Sequence, residues 1–291
     1  MVSVITINYN GFEDTCEFID SMFAVESSPF ELIVVDNASR NEEGKRLKER
    51  YPHCRVVCSK ENLGFAGGNN LGYRQATGDY ILYINNDILI KAPFLAALIA
   101  RLESSKEIGA VSPKIRYSHH PDRIQYAGFT PMEPIVLRNR MIGVGEVDNG
   151  QYDVPSETGF LHGACMLTRR ETIEEVGCMA EVFFLFYEEL DWCMRLKQAG
   201  YSLWYEPAAV IYHKESMSIP KGTPLRKYYM TRGRLLFARR NYRGMDRLLA
   251  CLYQALPVFF RDYFSLLFKG EREMARASWR GVVKGLTDKT N

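Results

Sequence analysis

The sequence contains no apolar run long enough to span a bilayer, since its best candidate, residues 248–268, is interrupted by Pro257 and by Arg261-Asp262. It also lacks a basic and apolar leader at the N-terminus. No Cys-x-x-Cys pair occurs among the seven scattered cysteines, which argues against a zinc ribbon or a thioredoxin-type site and favours a reducing compartment. A P-loop, a GxGxxG motif and internal repeats are missing too. These absences predict a cytoplasmic protein without a membrane span.

Composition and charge are ordinary for a globular protein with a full core. The 291 residues are 46% apolar and 25% charged, and the length suits one large domain or one domain with an appendage. The formal net charge is only +2, so the molecule as a whole is not built to bind a polyanion. No recognition module accompanies its basic residues, and we therefore expect no nucleic-acid partner.

Strand-like and helix-like segments alternate over the first third of the chain. Short apolar and β-branched runs are typical of buried strands, and segments with helical spacing lie between them. The predicted strands cover residues 2–7, 32–35, 55–58 and 80–84, and the predicted helices cover residues 12–23, 42–50 and 66–76. Such alternation predicts an α/β fold with a Rossmann-like, mostly parallel central sheet flanked by helices.

The rest of the chain is less regular. Residues 117–155 are predicted to form loops and short strands over the active face. Later strands are predicted at residues 160–168, 201–206 and 210–212, and a helix at residues 188–199, which ends before Gly200. From residue 225 onward the pattern predicts helices.

Three predicted strands end in polar residues. The polar ends are Asn8-Tyr9-Asn10, Asp36-Asn37 and Asn85-Asn86-Asp87. In a parallel sheet such ends meet at one rim, where ligands bind. The Asp87 carboxylate can hold Mg²⁺ or Mn²⁺ against a diphosphate, and Asp36 can accept hydrogen bonds from a base or a ribose. The alternatives are local, because Asn and Asp favour tight turns after strands and Ser39 or Asn41 can cap a helix.

A glycine-rich loop leads into the third predicted helix. It runs Asn62-Leu63-Gly64-Phe65-Ala66-Gly67-Gly68-Asn69-Asn70. Backbone N–H groups at the start of a helix suit anions and polar sugar groups, so the loop is a candidate binding element. The alternative is a loop whose glycines are needed for unusual backbone angles.

Three carboxylates, Glu188, Glu189 and Asp191, lie at the start of a predicted helix after an aromatic run. A sugar hydroxyl that loses its proton during attack needs such a base, and clustered like charges raise at least one pKa in the helpful direction. The alternative is that these acids only stabilise the helix dipole. His213, at the end of a predicted strand, is either a metal ligand beside Asp87 or a structural residue, and the other histidines are interpreted as structural.

The segment from residue 226 to residue 247 is strongly basic and rich in aromatic residues. It contains one acid, Asp246, and eight basic residues: Arg226, Lys227, Arg232, Arg234, Arg239, Arg240, Arg243 and Arg247. Either this is a solvated helix face, or it is an amphipathic surface that meets anionic lipid or a pyrophosphate-linked acceptor. The apolar and aromatic residues 248–268 favour contact with a membrane surface.

Taken in order, these pieces resemble the family 2 glycosyltransferases with the GT-A fold, and within them the bacterial rhamnosyltransferase and galactofuranosyltransferase-like branch. The resemblance covers roughly residues 2–240. It is carried by residues 4–10, 34–39, 62–70, 83–87 and 184–192, with His213 and residues 228–234. Each motif is weak alone, but their joint order and spacing are highly specific.

The resemblance implies an inverting glycosyltransferase that works by in-line displacement without a covalent intermediate. It would move rhamnose or another hexose from a UDP- or dTDP-linked donor to a hydroxyl of a glycan or lipid-linked acceptor in cell-surface polysaccharide synthesis. The expected GT-A catalytic domain covers residues 1–222, with a nucleotide-sugar half at about 1–115 and an acceptor half at about 116–222. Residues 223–291 would form a helical, basic and amphipathic segment that contacts the inner face of the cell membrane.

The resemblance also implies residue roles. Glu189 takes the position of the catalytic base, with Asp191 and Glu188 supporting it or touching the acceptor. Asp87 and His213 take the positions of the ligands for Mg²⁺ or Mn²⁺. The acceptor or membrane positions are Arg232 and Arg234, and the nucleotide-sugar positions are Asn8, Tyr9, Asn10, Asp36, Asn37, Ser39, Asn62, Gly64, Phe65, Gly67, Asn69, Asn70, Asn85, Asn86 and Gly163.

Two departures from the family pattern leave alternatives open. Asn85 stands where the first Asp of the DxD motif is expected, so metal binding would rest on Asp87, His213 and the donor diphosphate. Glu189 replaces a commoner Asp, which leaves either Glu189 or Asp191 as the base. Two other functions also fit such a fold: a non-catalytic sugar-nucleotide-binding protein and a sugar nucleotidyltransferase. The second needs a glycine-rich signature with Arg or Lys near the N-terminus, where this chain has Asn-Tyr-Asn-Gly.

Overall fold

The centre of the protein is a ten-stranded sheet, seen in a computed structural model that describes residues 1–215, 220 and 222–290. Its strands are β1 (Val2–Asn8), β2 (Phe30–Asp36), β3 (Arg55–Cys58), β4 (Tyr80–Ile84), β5 (Ile88–Leu89), β6 (Ile108–Tyr117), β7 (Ile124–Tyr126), β8 (Ser156–Glu157), β9 (Cys165–Arg169) and β10 (Ser202–His213). Their order is β3-β2-β1-β4-β9-β6-β10-β5, with β7 paired to β6 and β8 paired to β10.

Helices flank the sheet and continue after its last strand. They are α1 (Phe12–Val25), α2 (Glu43–Arg50), α3 (Gly64–Tyr73), α4 (Leu95–Glu103), α5 (Arg170–Val176), α6 (Glu188–Gln198), α7 (Pro224–Asn241), α8 (Gly244–Tyr253), α9 (Phe259–Phe268) and α10 (Arg272–Thr287). A 3₁₀ turn, Glu181–Phe183, precedes α6, and a π-helical segment, Gln254–Val258, joins α8 to α9. None of the helices in the described part of the chain combines the length and the apolar character that crossing a bilayer requires.

The first half of the sheet is parallel, as the alternation of strands and helices predicts. β1 pairs in parallel with β2 and β4, and β2 pairs in parallel with β3. This register places Asn8 beside Asp36 where both strands end. The second half is mixed, because β9 runs antiparallel to β4 and β6, whereas β10 is parallel to β6. The predicted α/β fold class is confirmed.

One predicted strand, residues 160–168, is shorter in the structure and begins only at Cys165. The backbone before it does not join the ladder, because the Ala164 N–H donates to the ring of His162 (3.1 Å). The Ala164 carbonyl accepts from the Asn85 N–H (2.9 Å). Residues 160–164 therefore form a loop at the end of β4, beside the rim.

Two other strand predictions also change. The strands predicted at residues 201–206 and 210–212 are one strand, β10, whose pairing shifts between Glu206 and Val210, where Pro207 interrupts the ladder. The sequence pattern does not predict β6, because Gly109 and Pro113 interrupt its apolar run. Long-range pairing with β9 and β10 overrides that local signal.

The glycines of α3 let this helix lie close to the sheet. A Cβ at Gly72 would come within 2.4 Å of Ile5 Cγ2, and one at Gly68 within 2.8 Å of Ile7 Cδ1. Both isoleucines belong to β1, so a side chain at either glycine would push the helix away from that strand. The glycine-rich segment thus serves helix–sheet packing over much of its length.

The C-terminal helices form a layer built around α7. Gly285 of α10 lies against this helix so closely that a Cβ would meet Leu235 Cβ at 2.7 Å. On its other side α7 reaches α6, where Asn241 Nδ2 donates to Asp191 Oδ1 (2.9 Å). The last strand ends at His213, and the elements described after it are helices. The predicted domain division at residue 222 remains a prediction.

Candidate active site

Asn8, at the end of β1, organises the rim where the parallel strands end. Its side-chain amide donates to Asp36 Oδ1 (2.9 Å), Glu43 Oε2 (2.9 Å) and Ser39 Oγ (3.0 Å), and its Oδ1 accepts from the Thr15 hydroxyl (2.8 Å). Asn8 itself is fully buried. It therefore positions the Asp36 carboxylate instead of offering its own amide to a ligand.

The turn after β1 lies beside Asp36. Asn10 is in the left-handed region (φ 53°), and its N–H donates to Ser39 Oγ (3.0 Å). Its side-chain oxygen accepts from the Arg40 N–H (2.8 Å), and Tyr9 is exposed next to it. Ser39 does not cap α2, which begins without a side-chain cap. The structure thus brings these predicted donor-binding residues together on one edge.

Asn37 fixes the glycine-rich loop to the end of β2. Its Nδ2 donates to Asn62 Oδ1 (3.1 Å) and to the Gly64 carbonyl (3.0 Å), and its Oδ1 accepts from the Leu63 N–H (2.9 Å). The Gly64 N–H donates to Asn62 Oδ1 (2.9 Å). Asn37 and Asn62 therefore hold the loop in shape next to the rim.

Gly64 allows the loop to touch the segment that precedes α6. Its φ is +71°, and a Cβ there would lie 2.1 Å from the Phe184 carbonyl oxygen. The same carbonyl accepts a hydrogen bond from the Phe65 N–H (2.7 Å). Because the Phe65 N–H donates to this carbonyl, it holds residue 184 in place and is not available to bind an anion. We call this contact the Gly64–Phe184 clamp.

The remaining predicted loop residues face the interior. Asn70 Nδ2 donates to the Met179 carbonyl (2.9 Å) and to Glu181 Oε1 (2.9 Å). Asn69 is buried, and a Cβ at Gly67 would meet Leu63 Cβ at 2.8 Å. The structure does not bring Gly67, Asn69 or Asn70 to the rim, because these residues of α3 pack and hydrogen-bond inside the fold.

Glu188 and Glu189 follow a strained turn. Phe184, Phe186 and Tyr187 all have positive φ (64°, 66° and 76°), a conformation that costs energy for residues other than glycine. Burial and the charge of Glu189 raise the pKa of Glu188 well above its ordinary value. Burial also raises the pKa of Glu189, against the backbone N–H groups at the start of α6. The predicted rise of a pKa in this cluster is therefore present, and it favours a base.

Asp191 does not reach the rim. It is fully buried and paired with Arg240 (2.8 Å) and Arg195 (3.1 Å), and Asn241 donates to it as well. Its oxygens are thus occupied by partners from α6 and α7. This corrects the expectation that Asp191 supports catalysis directly, and it leaves Glu189 as the candidate base.

Asp87 and His213 form a close pair. His213 Nε2 lies 3.1 Å from Asp87 Oδ1, and His213 Nδ1 lies 2.9 Å from Gln125 Oε1. A ring whose Nδ1–H donates to the Gln125 oxygen keeps a lone pair on Nε2, which is the tautomer that binds metal. Two ligand atoms that each lie about 2.1 Å from one cation at right angles are about 3 Å apart, so the pair fits a divalent cation.

The remaining ligands of such a cation would not be protein carboxylates, thiolates or imidazoles. In the part of the chain that the structure describes, no cluster of three or more His, Cys, Asp or Glu side chains is arranged for a metal. Asn85, at the first DxD position, ties its N–H to the Ala164 carbonyl, and Asn86 Nδ2 donates to Thr15 Oγ1 (2.8 Å). Asn85 and Asn86 thus shape the end of β4.

Residues 162–164 connect the Asp87–His213 pair to Glu189. A Cβ on Gly163 would lie 3.4 Å from Glu189 Cγ, and the His162 and His213 rings are 6.0 Å apart. Burial and the neighbouring His213 lower the pKa of His162 to about 3, so this imidazole is neutral. Residues 162–164 therefore adjoin both groups, because the His162 ring contacts His213 and Gly163 lies against Glu189.

Sequence reasoning missed His162 and Gln125, since neither belongs to a motif. For His162 a signal was present, because it directly precedes Gly163 at the break in a predicted strand. For Gln125 no local signal exists, since its position follows from the pairing of β7 with β6.

Arg232 and Arg234 point inward from α7. Arg232 is buried, and its guanidinium donates to Asp288 (2.7 Å) and to the Val182 carbonyl (2.8 Å). Arg234 Nε donates to the Tyr187 hydroxyl (2.9 Å). This corrects the expectation of an acceptor or membrane role, because both arginines hydrogen-bond to the segment that precedes α6.

More than half of the chain matches a known family. The model of Glycosyl transferase family 2 matches residues 3–177. The chain belongs to glycosyl transferase family 2. It is therefore a glycosyltransferase, which moves a sugar from a nucleotide donor, and the interpretations as a sugar nucleotidyltransferase or a non-catalytic binding protein are set aside.

Two relatives of this glycosyltransferase span most of its length. The low-salt glycan biosynthesis hexosyltransferase Agl10 of Haloferax volcanii is 23% identical over 299 residues, which cover 99% of this chain and 92% of the relative. The N-acetylglucosaminyl-diphospho-decaprenol L-rhamnosyltransferase of Mycobacterium tuberculosis is 25% identical over 241 residues, which cover 75% of this chain and 77% of the relative.

A solved structure shares the fold of this glycosyltransferase. The mannosyltransferase PcManGT from Pyrobaculum calidifontis, in complex with GDP-Man and Mn²⁺, superposes with a TM-score of 0.59 at 18% identity. The match covers 99% of this chain and 87% of that chain. The predicted GT-A fold is thereby confirmed.

Proposed function

We propose that this enzyme inverts the anomeric centre as it moves rhamnose or another hexose from a UDP- or dTDP-linked donor to a hydroxyl of a lipid-linked or glycan acceptor. It would act in cell-surface polysaccharide synthesis at the cytoplasmic face of the membrane. The observation that carries the proposal is that Glu189 and the Asp87–His213 pair both adjoin the same short segment, residues 162–164. The names of the two relatives support a hexosyl donor, and one of them specifies a diphospho-decaprenol-linked acceptor.

The donor would bind along the rim. Asp87 and His213 would hold Mg²⁺ or Mn²⁺ together with the donor diphosphate, and the cation would offset charge that builds on the leaving phosphate. Asp36, oriented by Asn8, would accept a hydrogen bond from the base or the ribose. Tyr9 and Asn10 would flank the nucleotide beside it.

Glu189 would accept the proton of the acceptor hydroxyl. In an in-line displacement the acceptor lies on the side of the sugar opposite the diphosphate, and Glu189 would serve that side, because it adjoins Gly163 whereas the Asp87–His213 pair adjoins His162. Its raised pKa makes the carboxylate a stronger base. The still larger rise at the buried Glu188 favours its neutral form, so the pair would share a single negative charge.

Donor binding and metal dependence test this proposal. Thermal unfolding in the presence of UDP-, dTDP- and GDP-sugars identifies the donor, because a bound ligand raises the Tm. Transfer to a polyprenyl-diphosphate-linked sugar is then measured with Mn²⁺ and with EDTA. We expect stabilisation by one class of sugar nucleotide and transfer that stops in EDTA. No stabilisation by any sugar nucleotide, or full turnover in EDTA, would contradict the proposal.

We also propose that the C-terminal helices contact the membrane, but through residues other than the arginines of α7. Six apolar side chains stand four residues apart along α8, the π-helical segment and α9, and each is 46–90% exposed. We call them the apolar row: Leu248, Leu252, Leu256, Phe260, Phe264 and Phe268. Side chains four residues apart form a ridge on a helix, and soluble monomers rarely expose a continuous apolar ridge of this kind.

The excess of exposed basic side chains near this row favours an anionic lipid surface as its partner. Along α8 to α10 and the turns beside them, exposed acids are outnumbered by exposed basic side chains. The acids are Asp246, Glu271 and Glu273, and the basic side chains are Arg243, Arg247, Arg261, Lys269, Arg272, Arg276, Arg280 and Lys284. Two copies of such a surface would repel each other, whereas anionic head groups would attract it.

A further inference from the structure

The His162 ring lies beside His213 of the Asp87–His213 pair, one residue before the glycine that lies against Glu189. It lies 6.0 Å from the His213 ring at a nearly perpendicular angle (80°), and it stacks on Phe129 (6.4 Å). The next residue, Gly163, has no side chain to separate the ring from Glu189. The imidazole is thus held by its aromatic neighbours, and the residue is partly exposed.

One hydrogen bond assigns the tautomer of this ring. The Ala164 N–H lies 3.1 Å from His162 Nδ1, and a backbone amide can only donate. Nδ1 must therefore carry a lone pair, and the single ring hydrogen resides on Nε2. Within residues 1–215, 220 and 222–290, no side chain or carbonyl accepts that hydrogen.

We propose that His162 is a specificity-determining residue that donates its Nε2–H to an oxygen of the transferred sugar. The inference rests on the proposed function, since the sugar must lie between the metal-bound diphosphate and the acceptor held by Glu189. His162 contacts His213 on the metal side and adjoins Gly163 on the Glu189 side, and its Nε2–H needs an oxygen partner such as a sugar hydroxyl or the ring oxygen.

The chemistry of the reaction also favours a neutral donor at this position. Positive charge builds on the sugar ring as the leaving group departs, as in glycoside hydrolysis. A lysine or arginine here would oppose that charge, whereas a neutral imidazole N–H binds an oxygen without doing so. The same N–H rejects donors that place an apolar group there, because a polar group without a partner is costly.

Three substitutions test the roles of the two ring nitrogens of His162 separately. His162→Asn keeps an acceptor near the Nδ1 position for Ala164 but removes the distal donor. His162→Gln supplies an amide N–H near the Nε2 position, and His162→Leu removes both functions. Each variant is titrated calorimetrically with the sugar nucleotide that stabilises the wild type best and with the matching nucleoside diphosphate.

We expect His162→Asn and His162→Leu to bind the sugar nucleotide about 3- to 10-fold more weakly, which is the usual effect of one lost hydrogen bond. Binding of the nucleoside diphosphate should stay unchanged in both, and His162→Gln should retain most of the sugar nucleotide affinity. In transfer assays with two or more sugars on the same nucleotide, the first two variants should lose discrimination.

Two results would overturn the inference. Equal loss of sugar nucleotide and nucleoside diphosphate affinity would show that the ring only supports the loop, and wild-type sugar nucleotide affinity in His162→Asn and His162→Leu would remove its contact with the sugar. A wild-type enzyme that binds no sugar nucleotide is a separate outcome, because it refutes the proposed function itself.

Discussion

The rim of the sheet and the C-terminal helices distribute charge in opposite ways. At the rim, Asp36 and Glu189 lie beside the strand ends and the loop of residues 162–164, while apolar side chains fill the layers on either side of the sheet. In the C-terminal helices Arg240 and Arg232 of α7 turn inward to Asp191 and Asp288, and the leucines and phenylalanines of the apolar row face outward. Within the C-terminal helices, the arginines of α7 that pair with Asp191 and Asp288 are inside the fold, whereas basic residues of α8 to α10 are exposed.

The contrast teaches that a basic helix can serve as an internal brace. Arg240 and Arg232 bind partners that belong to α6, to the turn before it and to the C-terminus. They thereby support the strained turn that directly precedes Glu188 and Glu189. Membrane contact, in this account, depends on the apolar row and on exposed basic residues of α8 to α10.

The largest expected effect comes from breaking the buried charge cluster. Asp191→Ala would leave Arg240 and Arg195 without their carboxylate, and we expect a loss of about 3–5 kcal/mol in the free energy of unfolding. Urea denaturation followed by circular dichroism measures this loss. Glu175→Ala, an exposed acid on α5, is the control and should stay close to wild type. An Asp191→Ala protein with wild-type stability and no transfer would instead make Asp191 a catalytic residue.

The Gly64–Phe184 clamp gives the next largest effect. In Gly64→Ala the new Cβ must displace the Phe184 carbonyl, so we expect about 1–3 kcal/mol of destabilisation and a kcat that falls more than KM changes. Gly145→Ala is the matched control, because Gly145 has a similar φ (+79°) but nothing within 4 Å of a Cβ. If the two variants behave alike in both assays, the clamp does not position Glu189.

The apolar row should control binding to vesicles. The double variant Phe260→Ser/Phe264→Ser should bind phosphatidylglycerol-containing vesicles about 10-fold more weakly, because less apolar surface enters the lipid. Its kcat on a short-chain, water-soluble acceptor should match wild type. Val154→Ser, at a position 76% exposed in a loop before β8, is the control. Unchanged vesicle binding with a loss of dimers in light scattering would assign the row to a second copy of the chain.

The smallest effect concerns the pH dependence of stability. The pKa of Glu188 is raised in the folded state. At pH values above the ordinary pKa of 4.5, the folded state therefore holds more protons than the unfolded chain, and the free energy of unfolding declines as pH rises. The side chain of Glu188→Gln cannot ionise, so the free energy of unfolding of this variant should decline less between about pH 5 and pH 8 than that of the wild type. Urea midpoints across this range measure it, with the exposed Glu171→Gln as control. A slope equal to wild type would mean that Glu188 ionises freely in the fold.

Sequence patterns predict the strand ends at the rim and the presence of the C-terminal helices, but not the partners of the arginines in these helices, for a physical reason. Asn8, Asp36 and Asp87 follow strands whose alternation with helices already implies a parallel sheet, so their convergence is a consequence of topology. Arg232 and Arg240 pair with residues about fifty positions away, and no local pattern shows whether a long basic side chain will find such partners.

Loop glycines are a second limit on prediction from sequence. Gly64 and Gly72 look alike in a glycine-rich loop, yet one accommodates a carbonyl and the other a strand side chain. Only the tertiary structure distinguishes these uses, because each depends on an atom supplied by a distant part of the chain. The same holds for His162, whose ring gains its setting from β7 and β10.

The role of Glu189 is tested most directly by Glu189→Gln, assayed for transfer and for donor binding in the same preparation. Loss of the base should lower transfer at least about 100-fold, while the affinity for the sugar nucleotide with Mn²⁺ stays within about 2-fold of wild type. Turnover close to wild type in a variant whose carboxylate has become an amide would contradict the assignment of Glu189 as the proton acceptor.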